Sequence, residues 1–306
     1  MTSLQLSDPC ERKWEPDMKQ KCFWKKIEPY LYLLPAMIFF AMFVYYPFFK
    51  NEILSFFTLD KFRNVKGFAG ISNYVKIFGD PKFIQAIGNT LVYVFTTVPV
   101  SMVIGYFLAL LCRKKRRFSV VYEAMFALSM ATSASVVAMI FQLAYNPSMG
   151  IINKLTGLDI NWLNDPKMAL ISIMMIQIWA NIGYNFIFIL SGLRGIPEDV
   201  IESSSIDGVR GISLQTKIIL PMISPTLLFL CVKDFAYAMT TASFTLILTN
   251  GGPNGATETI FSYIYKKAIA GTNYNAAFAA TTVCFLLSAV LLAASMVFEG
   301  KKVHYE

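Results

Sequence analysis

Two groups of polar residues sit inside otherwise apolar stretches of this 306-residue chain. Gln177, Asn181, Tyr184 and Asn185 follow one another at i, i+4, i+7 and i+8, which places them on one stripe of a helix. Amides and a phenol supply both donors and acceptors, the chemistry that a polyhydroxyl solute needs. The same groups also suit hydrogen bonding between packed helices, and both readings stand on the sequence. Asp234, Tyr237 and Thr241 form a second stripe, and Lys233 beside Asp234 makes the only pair of charges deep in an apolar run. Ionisable groups so placed either meet a solute or serve as a structural ion pair. Neighbours in sequence do not face each other on a helix, so each of the two is expected to need its own partner.

A third group lies in a polar connection, residues 194–221, reading RGIPEDVIESSSIDGVRGISLQTKIILP. Pro197 followed by Glu198 and Asp199 suits the first turn of a helix, where a missing donor costs nothing and acids favour the positive dipole end. Asp207-Gly208 should break that helix, and a second should run from Ile212 or Ser213 toward Leu220. A helix–turn–helix with small residues at its centre is a shape for docking into another protein's groove. A plain amphipathic connection between two spans fits the same residues. Thr249-Asn250-Gly251-Gly252-Pro253 reads as a flexible turn, open to contact with a docking protein or simply a loop.

The surroundings of these groups are set by composition. Hydrophobic residues make up 56% of the chain, aromatics 15% and charged residues only 15%, with a mean hydropathy of +0.52. Soluble domains carry about 25% charged residues, so the solvent of this chain is a bilayer. Six stretches are long and apolar enough to span one, at about 30–49, 87–112, 120–145, 168–193, 222–248 and 276–298. They leave a polar leader over 1–28, a spanning domain over 29–300, the connection 194–221 within it, and a tail over 301–306. No cleavage site follows the first span, so it is expected to be retained. An even number of spans puts both termini on one side. Sixteen of the 27 Lys and Arg fall on segments sharing that side, including the run RKKRR at 113–117, which places both termini in the cytoplasm. The formal charge of +8 then reflects orientation rather than nucleic acid.

Several chemistries are excluded. The five cysteines are scattered, with no CxxC, and the single His304 sits near the C-terminus, so neither a metal site nor a His-based triad is expected. No GxxxxGK[ST] occurs, so the chain cannot hold ATP phosphates in a P-loop. No catalytic residue, cofactor or metal ligand is expected.

Glu202-Ser203-Ser204, three residues, Gly208, nine residues, then Ile218-Ile219-Leu220-Pro221 resembles the Glu-Ala-Ala loop of binding-protein-dependent ABC transporter permeases. Asp207 stands where the family usually has Asp. Serines replace both alanines, and Gln215 and Thr216 stand where relatives often have aromatics. Leu33-Leu34-Pro35, Tyr46-Pro47, Asn73-Tyr74, Asn89-Thr90, 141–147, Asn161-Trp162-Leu163, 249–253, Thr257-Glu258 and 302–305 are similar to the sugar and glycerol-3-phosphate (maltose-type) branch. The resemblance runs from about residue 30 to the end.

It implies an all-α membrane protein with six transmembrane helices, N-in/C-in, in the type I (MetI-like) importer permease fold with a cytoplasmic coupling helix. Glu202, Ser203, Ser204, Asp207, Gly208, Leu220 and Pro221 would couple to the ATPase, and Gly251, Gly252 and Pro253 would meet a solute-binding protein. The implied partners are a second six-span permease, two copies of a cytoplasmic ABC ATPase, an extracytoplasmic solute-binding protein and the lipid of a bacterial-type cell membrane. The chain itself would not be an enzyme. It would form half of a pathway for a carbohydrate, with glycerol-3-phosphate or another polyol derivative as the alternative solute. A secondary transporter would share the hydropathy without an ATPase, but should carry carboxylate relays or an internal repeat, and neither is visible.

Overall fold

A computed structural model describes residues 16–114 and 117–302. The start of the expected leader, the centre of the RKKRR run and the end of the tail, with His304, lie outside the described residues. The chain divides into two compact units, residues 1–54 and 55–306.

The first unit is one helical rod. α1 (Pro16–Phe40) passes through a π-turn (Ala41–Tyr45) into α2 (Tyr46–Ser55). Every side chain from Glu28 to Pro47 is exposed, and most of them are apolar, as suits a helix whose solvent is lipid.

The second unit opens with a two-stranded antiparallel hairpin, β1 (Phe57–Leu59) and β2 (Val65–Phe68), with Phe57 opposite Phe68 and a bulge after Thr58. The short helix α3 (Ser72–Phe78) follows. The long helices are α4 (Pro81–Cys112), α8 (Ala169–Arg194), α12 (Ser224–Thr240) and α14 (Tyr274–Lys302). Asp80 starts α4 by accepting from the Lys82 amide, with Pro81 in the first turn. Between α4 and α8 lie α5 (Ser119–Ala131), α6 (Ala134–Ala144) and α7 (Ile151–Thr156).

Among the described residues five helices are long and apolar enough to cross a membrane, or six if α5 and α6 count as one span. The single helix expected over 120–145 is in fact two, bent by 101°. Thr132 is extended, and Ser133 caps α6 by accepting from the Val136 amide. The hydroxyl answers a backbone donor freed by the break. Hydropathy runs unbroken across this break and does not register it.

α4 and α8 run parallel in fixed register. Tyr93 bonds Gln177, and Ser101 bonds Asn185, each pair 84 residues apart. Arg194 reaches the Cys112 carbonyl, 82 apart. Small residues allow this closeness: a Cβ on Gly105 would lie 2.9 Å from the Asn185 Cβ. Gly183 does the same toward α5, where a Cβ would lie 1.8 Å from Ser129 Oγ and 2.4 Å from the Phe126 carbonyl oxygen.

Two apolar cores stack along these helices. One holds Phe83, Val94, Val98, Ile173, Ile176, Met239 and Ile260. The other holds Ala109, Phe186, Ile189, Leu193, Ile219 and Leu230. On α4, α8 and α12 alike the residues between the two cores are polar and buried: Ser101, then Gln177, Asn181 and Asn185, then Asp234.

The contact at Gly183 yields a test. Gly183→Ala overpacks a backbone carbonyl and should cost about 1–3 kcal/mol. Gly88→Ala, with nothing within 4 Å of the added atom, should leave stability unchanged or slightly raised. Thermal unfolding of the two variants in the same detergent distinguishes them, and equal midpoints would refute the packing argument.

Candidate functional site

The polar layer is built from three helices. On α8 the Gln177 amide donates to Asn181 Oδ1 at 2.8 Å, and Gln177 Oε1 accepts from the Tyr93 hydroxyl at 2.9 Å. Two turns on, Asn185 Nδ2 donates to Asp234 Oδ2 at 2.9 Å and to Ser101 Oγ at 3.2 Å. The Asp234 side chain is fully buried, and its other oxygen pairs with Lys233 Nζ at 2.8 Å. That pairing corrects the expectation of separate partners: the Lys233 stem is long enough to fold back along α12, whereas the spacing rule describes only where side chains leave the helix. Lys233 Nζ also stands 3.5 Å from the centroid of the Tyr184 ring, which stacks on Phe188 at 4.5 Å.

Beside this layer lies a cavity of about 310 Å³. Gln177, Asn181, Tyr184, Lys233 and Tyr237 line it, with Ser129 and Thr132 from the broken span. Four residues of the two expected stripes therefore meet there: Gln177, Asn181, Tyr184 and Tyr237. Asn185 and Asp234 lie behind the wall as support. Thr241 does not join them, because it caps α12 in extended conformation and the helical stripe ends before it. Lys233, Ser129 and Thr132 extend the site beyond the two stripes; the last two sit at a break that apolar averaging conceals.

The connection 194–221 forms a second locus. Pro197, extended, caps α9 (Glu198–Ile206) rather than occupying its first turn. Asp207 ends the helix and Gly208 turns the chain at φ +78°, a left-handed conformation costly for other residues. Val209 donates to the Ser204 carbonyl at 2.9 Å, closing the elbow. α10 (Gly211–Leu214) begins at Gly211, slightly ahead of the expected start, then widens into a π-turn (Gln215–Ile219) before α11 (Leu220–Met222). Ser203 and Ser204 both donate back to the Val200 carbonyl, so their hydroxyls replace alanine methyls without leaving a polar group unanswered. Glu202 is exposed, and Ile206 and Ile212 are 86% and 82% exposed on either side of the elbow. Leu220 and Pro221 lead the chain back through Ile219 and Ile223, both in the apolar core. Gln215 accepts from the Tyr106 hydroxyl of α4 at 2.8 Å. Arg194 binds Glu123 at 2.6 Å and the carbonyls of Cys112 and Arg113, clasping α8 to the end of α4 and the start of α5.

The segment 249–253 is a third locus, and it is not a flexible turn. Gly251 is buried at φ +75°, and a Cβ there would lie 2.2 Å from Glu258 Oε2. Thr257 donates to the Gly252 carbonyl at 2.8 Å, and Glu258 pairs with Lys266 at 2.5 Å. Asn89 Nδ2 donates to the Gly255 and Glu258 carbonyls, both at 2.9 Å, and Thr90 Oγ1 accepts from the Ile260 amide. Gly252 and Pro253 stay partly exposed at the rim.

Nearby, α13 (Ile260–Tyr265) is tied to α4 through Asp80. Burial alone would raise the Asp80 carboxyl, but the Tyr263 hydroxyl, the Lys267 ammonium and the Lys82 amide together hold it below the ordinary carboxylate value of 3.8. Burial and the same Asp80 hydrogen bond raise the Tyr263 phenol. No cluster of His, Cys, Asp or Glu suited to a metal occurs among the described residues.

Two predictions follow from these partners. Asp234→Ala strands Lys233 and Asn185 and should destabilise the protein by about 3–5 kcal/mol, against about 1 kcal/mol for Ser101→Ala, read from thermal unfolding. Because the folded Asp80 pKa lies below its unfolded value, its stabilisation is complete above that unfolded value and is lost as pH falls through the lower, folded one. Pepsin cleavage within 259–270 should therefore rise as the pH is taken below 3.8, with a smaller step in Asp80→Asn.

A family model described as "Binding-protein-dependent transport system inner membrane component" matches residues 101–304. The chain is 32% identical over 281 residues to a Bacillus subtilis protein described as a probable ABC transporter permease, YurN, covering 89% of this chain and 96% of that one. It is 30% identical over 290 residues to the sn-glycerol-3-phosphate transport system permease protein UgpA of Yersinia enterocolitica, covering 93% and 97%. Among solved structures, a chain of a bacterial alginate ABC transporter, crystallised with an alginate pentasaccharide-bound periplasmic protein, superposes with a TM-score of 0.79 at 24% identity, covering 92% and 99%. A chain of the inward-facing MetNI methionine ABC transporter gives a TM-score of 0.53 at 15% identity, covering 72% and 96%. These last two speak to the fold alone.

Proposed function

We propose, starting from the fact that this chain belongs to the family of binding-protein-dependent transport system inner membrane components, that it forms half of the translocation pathway of an ATP-driven carbohydrate importer. Its partners in that reading are a second six-span permease, two cytoplasmic ABC ATPases and an extracytoplasmic solute-binding protein. Both termini lie in the cytoplasm, α5 and α6 together make one broken span, and residues 1–28 and 301–306 flank the spanning domain of 29–300. The elbow formed by Glu202, Ser203, Ser204, Asp207 and Gly208 seats in the ATPase, and Leu220-Pro221 passes its movement on. Gly251, Gly252 and Pro253 meet the binding protein.

The observation that carries the reading is the continuity between elbow and cavity. The exposed Ile206 and Ile212 flank Gly208, and the chain then runs through the buried Ile219 and Ile223 directly into α12. That helix carries Lys233 and Tyr237 to the cavity wall. ATP-driven closure of an ATPase pair on the elbow is thereby a movement of one wall of the cavity. A secondary transporter has no use for an exposed apolar elbow of this kind. Glycerol-3-phosphate stands as the second solute because a relative identical at 30% bears that name.

The tagged chain, solubilised in detergent, should bring down an ATPase and a second permease. Gly208→Arg strains the elbow turn at φ +78° and adds bulk where nothing packs within 4 Å, and should reduce ATPase recovery or solute-dependent ATP hydrolysis by at least about tenfold. Recovery of the intact chain with no ATPase at all would refute the importer reading.

A further inference from the structure

We infer that the cavity selects against charge: it takes a neutral polyhydroxyl solute and rejects phosphorylated or carboxylate-bearing solutes of the same size. The inference rests on the permease reading above and narrows its solute.

Among the described residues Lys233 is the one charged side chain lining the cavity, and its charge is already answered. Its ammonium is 2.8 Å from one oxygen of the fully buried Asp234 carboxylate, whose second oxygen is held by Asn185 at 2.9 Å. The pair brings no net charge to the wall. An anion entering it would have to compete with a carboxylate that cannot leave, in a setting where burial makes uncompensated charge costly.

The aromatic side of the site is similarly committed. The Lys233 ammonium stands over the Tyr184 ring at 3.5 Å and Phe188 stacks on the same ring at 4.5 Å. Both contacts occupy ring surface that a sugar would need for stacking. Tyr237 is the ring left open, 41% exposed and 6.0 Å from the same ammonium.

What remains unanswered in the wall is neutral. Asn181, 5% exposed, receives the Gln177 amide on one side, and its Nδ2 has no protein partner. Turning the chain of amides round only exchanges the orphan nitrogen for an orphan oxygen. One neutral donor or acceptor is left over just behind the cavity wall in either case, and the hydroxyls of Ser129 and Thr132 stand in the wall itself. A volume of about 310 Å³ lies at the small end of the roughly 300–1,000 Å³ usual for small-molecule sites, which suits a monosaccharide or a short oligosaccharide end. Neutral hydrogen-bonding groups, one free aromatic face and a self-neutralised charge describe a site for an uncharged sugar.

The test uses the permease–ATPase complex in nanodiscs with the solute-binding protein left out, so that the cavity alone selects. Thermal stabilisation is read with glucose, maltose, glycerol-3-phosphate and glucuronate at equal concentration. A neutral sugar should raise the melting midpoint, and neither anion should. Asp234→Asn frees the ammonium, so stabilisation by glycerol-3-phosphate should then appear. The double variant Lys233→Met, Asp234→Asn restores neutrality and should return to the wild-type ranking. Stabilisation of the wild type by either anion to the extent of the better sugar or beyond, or by none of the four, overturns the inference, and neither result depends on a variant folding. The permease reading fails separately, when no ATPase copurifies.

Discussion

A carboxylate in the middle of an apolar bundle has to be answered on every side, and the answers to Asp234 come from three helices. α12 supplies Lys233, α8 supplies Asn185, and α4 supplies Ser101 behind Asn185. Around this group the packing divides into two apolar cores rather than one. The division is functional in form. Close van der Waals packing of apolar side chains holds each end of the bundle, and the layer between can then carry polar groups and open space without loss of the whole. The cavity sits where the apolar packing is interrupted.

Much of this was legible in the residues. The stripe on α8 follows from a period of 3.6, and the helical elbow follows from Pro197 and Gly208, whose backbone preferences are local. The Glu-Ala-Ala-like spacing identified the family because it combines several such local requirements. What stayed hidden depends on reach and on distance along the chain. The Lys233–Asp234 pair turns on the flexibility of a lysine stem, which periodicity does not describe. The kink between α5 and α6 turns on two hydroxyl residues inside an apolar run. The hairpin at 57–68 is too short for alternation to stand out.

The segment 249–253 is the clearest of these cases. Its dipeptides read as a flexible turn, yet the loop they open is fixed by Asn89 and Thr90, which bond positions 166 to 170 residues further on. Asn89-Thr90, 249–253 and Thr257-Glu258 were separate points of resemblance in the sequence. In the structure they are one object, a loop strapped to the start of α4 and buttressed by the Glu258–Lys266 pair. Force applied to this surface passes into α4 instead of being absorbed by the loop.

The parallel register of α4 and α8 has a mechanical meaning. Polar ties at Tyr93–Gln177, Ser101–Asn185 and Cys112–Arg194 occur at nearly constant offset. A slide of one helix past the other by a turn, about 5.4 Å, would break all of them at once and leave each group unanswered in lipid or protein. A rotation of the two together breaks none. The pair therefore moves as a single strut, bordered by α5, where Gly183 makes the seam thin, and by α12.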